Sequence, residues 1–313
     1  MKSKANESWF IKILGNLSVT VLCILPHLPE KFLEKILQPF LLVYPAFRKK
    51  HIKRMEDCWK ALPFKNQLTI RKYYQSRLRI FLKTLAEHEP KSQGKITEDL
   101  IKGERHYKEA LEENRPIILL GLHLGLFENL HRLPTKPAAR PFGILTTESF
   151  SESLTKYMAQ GREQDGKRVI LRSNFSNEVK KIIRQRGILA MMVDQNPEAK
   201  SEENSLLLWN KISICYPRRI LELAMRNNFL ILPVSTIEKN DSRCGIEFDE
   251  PWTFAEGKFS REIIKEKVRN FLEKNIEGAP ELWNWSYGKV SVLNRTGTGL
   301  TNSIENSKLP QFL

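Results

Sequence analysis

The sequence predicts an α/β fold preceded by an apolar, helical N-terminal region. Hydrophobic residues make up 41% of the 313 residues, a globular proportion once glycine is added. After residue 95, short continuous apolar runs alternate with amphipathic stretches, the pattern of buried strands connected by helices. Before residue 95 the apolar residues recur instead at helical spacing.

No charged residue occurs from Ile13 to Pro29 (ILGNLSVTVLCILPHLP). Those 17 residues extend about 25 Å as a helix, against about 30 Å of bilayer hydrocarbon. A second run, Phe32 to Phe47, is broken by Glu34, Lys35 and two prolines. The pair reads as a membrane anchor or an amphipathic element lying in the membrane plane. Arg48, Lys49, Lys50, Lys53 and Arg54 follow and suit anionic headgroups.

Residues 48–88 read as helices. Ile52, Met55, Trp59 and Leu62 form one stripe and Tyr74, Leu78, Phe81 and Leu85 another, with Arg71, Lys72, Arg77 and Lys83 at polar positions. Pro90 to Gly94 marks a break. Strands are predicted at Ile117–His123, Phe142–Thr147, Val169–Arg172, Ile188–Gln195 and Phe229–Thr236. Ser176 is placed to cap a helix ending at Gly187. Residues 196–216 read as a loop, Pro217 as the first turn of a helix reaching Asn227, and Ser260–Asn275 as an amphipathic helix. The tail after Arg295 is polar and reads as loose.

Lys and Arg number 51 against 36 Asp and Glu, a net charge of +15. Such a balance favours an anionic partner: nucleic acid, a membrane face or an acidic carrier. The basic residues are spread along the chain and form no recognised nucleic-acid module, so nucleic acid is not an expected partner. The four cysteines, at 23, 58, 215 and 244, have no zinc spacing, so no metal is expected.

The main chemical constellation is His123-Leu-Gly-Leu-Phe-Glu128. A second pair of the same spacing, His51 to Glu56, sits in a charged helical stretch and reads as a solvated face. His123 instead ends an apolar strand, where ligands sit in α/β sheets, and the following helix could turn Glu128 back toward it. A carboxylate-held histidine is a general base. The sequence contains no G-x-S-x-G elbow, P-loop or G-x-G-x-x-G. A base without an enzyme nucleophile points to direct attack by a substrate hydroxyl on an activated electrophile. A thioester fits, since a thiol of pKa about 8.5 leaves without acid assistance.

These residues resemble the bacterial lipid A biosynthesis acyltransferases of the lauroyl/myristoyl type, within the wider H-x4-D/E lysophospholipid and glycerolipid acyltransferase group. Asn114 to Glu128 is similar to the family's strand and its histidine signature. Arg162 in Gly161-Arg-Glu-Gln-Asp-Gly166 matches an R-x-x-x-G element, and Met192-Val-Asp-Gln195 a strand ending in Asp-Gln. Leu223-Ala224 with Leu232-Pro-Val234, and Pro280-Glu-Leu-Trp-Asn-Trp285, match the later motifs. The sequence departs at Leu126, Phe127, Leu208-Trp-Asn210, Arg218-Arg219 and Ser286-Tyr-Gly-Lys289.

The resemblance implies a glycerolipid-acyltransferase-like domain with a central mixed sheet flanked by helices. On that reading 1–47 anchors the chain, 48–94 packs on the catalytic domain, 95–295 is the acyltransferase domain and 296–313 a flexible tail. The implied activity is transfer of an acyl chain from acyl carrier protein or coenzyme A to a hydroxyl of an anionic lipid A precursor. It needs no cofactor beyond that co-substrate. The expected location is the bacterial inner membrane, with the catalytic domain on its cytoplasmic side. His123 would be the base, Glu128 its orienting carboxylate, Arg162 a holder of the thioester oxygen or a phosphate, and Asp194 a member of the same site. Other readings are a lysophospholipid or glycosylated phospholipid acceptor, or an inactive lipid-binding protein of the same fold.

Overall fold

Strand β2 (Ile117–Gly121) is buried along its whole length at the middle of a sheet. The computed structural model describes residues 9–29, 32–33, 35–37, 39, 48–65, 67–88, 101–133, 140–163, 166–194, 204–238, 244–252, 260–286 and 290–292. The seven-stranded sheet has the order β1-β9-β8-β2-β5-β3-β4. Its members are β1 (Ile101–Lys102), β2, β3 (Phe142–Thr146), β4 (Lys167–Leu171), β5 (Ile188–Met192), β8 (Leu230–Glu238) and β9 (Cys244–Phe248). Strands β8, β2, β5, β3 and β4 run parallel, while β9 is antiparallel to β8, so the sheet is mixed. The parallel strands therefore deliver their carboxyl ends to one edge.

The β2 side chains alternate between two cores. Ile118 and Leu120 join one, with Met55, Trp59, Tyr73 and Tyr74. Ile117 and Leu119 join the other, with Tyr107 and Ala110. The helices on these faces include α2 (Lys49–Ala61), α3 (Ile70–His88), α4 (Glu104–Glu112), α6 (Phe175–Arg184), α7 (Arg218–Arg226) and α8 (Arg261–Gly278). Helix α8 begins at Ser260, whose hydroxyl accepts from the Glu262 amide. Ser176 is not a cap: α6 starts one residue earlier, behind Asn174, which makes no side-chain cap bond.

The loop expected over 196–216 is in part a hairpin. Strands β6 (Ser205–Leu208) and β7 (Ile212–Cys215) pair antiparallel, with β10 (Ser291–Val292) on the far side of β7. Trp209 and Asn210 have φ of 48° and 56° and the Lys211 amide closes on the Leu208 carbonyl, the geometry of a type I′ turn. Glu273 accepts from the Trp209 amide and Arg269 donates to the Leu207 carbonyl. The long helix α8 thus holds a turn that lacks the usual Asn-Gly signal. The expected break at 90–94 and the loose tail lie outside the described residues.

At the N-terminus, α1 (Trp9–Ile24) has 16 residues. Among the described residues no helix is long and apolar enough to cross a membrane, so a spanning anchor is not seen. Helix α1 lies instead on α5 (Glu152–Arg162). Gly15 makes that approach possible, since a Cβ there would sit 2.2 Å from the Ser151 hydroxyl. Ser153 bonds Asn16 across the joint. Ile13, Leu14, Leu17, Val21 and Ile24 of α1 are exposed.

Candidate active site

Residues Gly121 of β2 and Met192 of β5 are register partners. Continuing that register by two residues brings His123 opposite Asp194, each just beyond its strand. The Asp194 carboxylate accepts from the His123 amide at 3.0 Å and meets Nδ1 of the ring at 2.7 Å. The Trp283 indole N–H donates to the same carboxylate at 2.8 Å. Burial alone would raise the Asp194 carboxyl, but the His123 charge and these hydrogen bonds outweigh it and hold it below its ordinary value.

The chain around His123 is clamped by the Trp283 segment. Asn284 donates its amide to the His123 carbonyl at 3.0 Å, and the Gly125 amide reaches the Leu282 carbonyl at 3.0 Å. Gly125 turns there with φ of 51°, a conformation that costs glycine little. Thr236, at the adjacent end of β8, donates to the Leu124 carbonyl. The Phe127 ring stands edge-on to the imidazole with centroids 4.6 Å apart.

Glu128 lies in a 3₁₀ turn, Phe127–Arg132, and Arg162 at the end of α5. Their contact is bidentate: Nε to Oε2 at 2.9 Å and Nη2 to Oε1 at 2.6 Å. Nη1 of Arg162 reaches the Thr146 hydroxyl at 3.0 Å, where β3 ends. All four expected residues thus gather at the carboxyl ends of β2, β5 and β3. The assignment of partners differs from expectation. Asp194, not Glu128, takes up Nδ1 of His123, because the parallel register sets Asp194 across from it. Arg162, expected to hold a substrate oxygen, has three of its nitrogens on Glu128 and Thr146. The sequence marks Trp283 only as part of the Pro280–Trp285 motif, and nothing else in it signals the reach to Asp194.

His51 is part-buried rather than solvated. Its Nδ1 accepts from Arg54 at 2.8 Å, and burial, with the Arg54 and Arg48 charges, pushes its pKa down to about 3. It is neutral and has a hydrogen-bonded structural role. Among the described residues no group of His, Cys, Asp and Glu could hold a metal ion.

The sequence matches the family described as bacterial lipid A biosynthesis acyltransferase over residues 8–287. The chain belongs to this family. It is an acyltransferase by family. A crystal structure of the 1-acyl-sn-glycerophosphate (LPA) acyltransferase PlsC from Thermotoga maritima is similar at 14% identity, with a TM-score of 0.36. The similarity covers 79% of this chain and 98% of that one. No curated protein matches the chain.

Proposed function

We propose that this acyltransferase moves a fatty acyl chain from an acyl thioester, on acyl carrier protein or coenzyme A, to a hydroxyl of a lipid A precursor. The observation that carries the mechanism is the 2.7 Å contact between Asp194 and Nδ1 of His123. A buried carboxylate there favours the tautomer with its proton on Nδ1, which leaves Nε2 as the basic nitrogen.

The acceptor hydroxyl gives its proton to Nε2 as its oxygen bonds to the thioester carbonyl carbon. The C–S bond then breaks, and the imidazolium returns the proton to the departing sulfur. Asp194 stabilises the imidazolium between those events, and Trp283 keeps the carboxylate in place. Base assistance of this kind contributes about 10²–10⁴ in rate. The Glu128–Arg162 pair keeps a cation beside the reacting groups, where oxyanion charge develops.

On this reading the reaction occurs at the cytoplasmic face of the inner membrane. The exposed residues of α1 form an apolar stripe suited to lie among acyl chains, and the +15 net charge suits anionic lipid. The test compares acyl transfer by purified His123→Ala and His51→Ala proteins, each checked for folding by circular dichroism. His123→Ala loses nearly all activity and His51→Ala keeps most of it. Equal activity of the two rejects the site.

A further inference from the structure

The pairing of β2 with β8 ends at Leu120, opposite Pro233. Three residues further along each chain stand His123 and Thr236. On its other side His123 has Asp194, brought there by the register of β5. The base is thus flanked by one side chain from each neighbouring strand, an acid from β5 and a hydroxyl from β8. Asp194 and Thr236 are each only 4% exposed.

Beyond β2 the chain leaves the ladder, and the backbone groups of the turn take other partners. The His123 amide donates to Asp194, and the His123 carbonyl accepts from the Asn284 amide. The Leu124 amide reaches the Leu122 carbonyl at 2.8 Å, and the Gly125 amide reaches the Leu282 carbonyl. The Leu124 carbonyl accepts from the Thr236 hydroxyl. Two of these partners are side chains, Asp194 and Thr236. Asp194 also acts on the imidazole. Thr236 is uncharged and bonds to backbone, so what it supplies is position.

The turn fits closely between β8 and the Trp283 segment. A Cβ on Gly125 would stand 3.2 Å from the Thr236 hydroxyl and 3.9 Å from the Leu282 side chain. Leu124 is itself 3% exposed. Without the hydroxyl its carbonyl loses a buried donor, and the peptide gains by rotating toward another. That rotation moves the His123 backbone on which the imidazole is mounted. An error of about 1 Å in a reacting group costs about 100-fold in rate.

We infer that Thr236 is a positioning residue for acyl transfer: its hydroxyl fixes the His123–Gly125 turn and so the direction in which the imidazole presents Nε2 to the acceptor hydroxyl. The inference rests on His123 acting as the base of the proposed reaction.

The test uses the full chain in detergent. Thr236→Val and Thr236→Ala remove the donor in two ways, and Thr236→Ser keeps it. Ser235→Ala removes the neighbouring hydroxyl of β8, also 4% exposed, from the opposite side of the strand. In transfer assays Thr236→Val and Thr236→Ala lower kcat about 10–100-fold and leave KM for both substrates nearly unchanged. Thr236→Ser recovers most of the rate. Ser235→Ala keeps its rate even where its thermal midpoint falls as far as that of Thr236→Val. The proton on Nδ1 of His123 gives a second readout, by NMR of protein carrying isotope-labelled histidine, with its signal assigned by its absence from His123→Ala. That signal shifts in Thr236→Val and Thr236→Ala and returns in Thr236→Ser.

A kcat within about threefold of wild type in whichever of Thr236→Val and Thr236→Ala folds overturns the inference. So does a loss confined to KM, an equal loss of rate in Ser235→Ala, or a Thr236→Ser protein no faster than Thr236→Val. If no thioester donor supports transfer by the wild type, the proposed function fails; the NMR signal still decides whether Thr236 sets the placement of His123, an unmoved signal refuting it.

Discussion

Asp194→Asn separates the two carboxylates that compete for the role of orienting His123. The Asp194 side chain is wholly enclosed and accepts from three groups: the His123 ring, the His123 amide and the Trp283 indole. Asparagine keeps the size but removes the charge that stabilises the imidazolium, and its NH2 group must face a site occupied by donors. If the charge carries most of the base catalysis, kcat falls by about 10²–10⁴. That corresponds to about 3–5 kcal/mol of transition-state stabilisation. Single-turnover transfer from radiolabelled acyl carrier protein to a lipid A precursor reads this step directly. Glu128→Gln is the comparison, since it keeps a carbonyl oxygen for Arg162 and leaves the Asp194–His123 contact intact. Activity of Asp194→Asn within threefold of wild type, beside a Glu128→Gln protein reduced a thousandfold, would refute the assignment of Asp194 and return that role to Glu128.

Trp283→Phe removes one charge-assisted hydrogen bond to Asp194 along with part of a buried ring system, so kcat should fall at least about tenfold, the worth of such a bond; an unchanged rate would show that the indole N–H contributes nothing. Asp194 also sets an acid limit to stability. Its folded pKa lies below the ordinary 3.8, so its contribution is complete above that value and is lost as pH falls through the lower folded one. Acid unfolding followed by tryptophan fluorescence should therefore flatten in Asp194→Asn over that range, and unchanged slopes would contradict it. Leu17→Glu combined with Val21→Glu places charge on the exposed stripe of α1 and should reduce sedimentation with anionic vesicles severalfold while leaving the circular dichroism spectrum intact; full vesicle binding would discount α1 as the contact.

The alternation of strands and helices was readable because burial on both sheet faces demands continuous apolar runs. Ile117–Gly121, Ile188–Met192 and Leu230–Glu238 all announce themselves that way. The hairpin of β6 and β7 did not, since its turn is Trp209-Asn210 and its stability comes from Glu273 and Arg269 on a distant helix. Strand β9 is short and helix α4 is dense in charged residues, so neither carries a legible apolar pattern.

The local chemistry of His123, Glu128, Arg162 and Asp194 is written in residue types and motif spacing, and a linear sequence can carry that much. Which acid meets which base is a different matter. It depends on β2 and β5 lying side by side in parallel with Gly121 across from Met192, a pairing between residues 71 positions apart. The burial of Arg77 is likewise invisible along the chain, since a polar position on one helix becomes an interior one only when other elements close over it. Periodicity reports the face a helix offers, whereas enclosure depends on everything that packs against it.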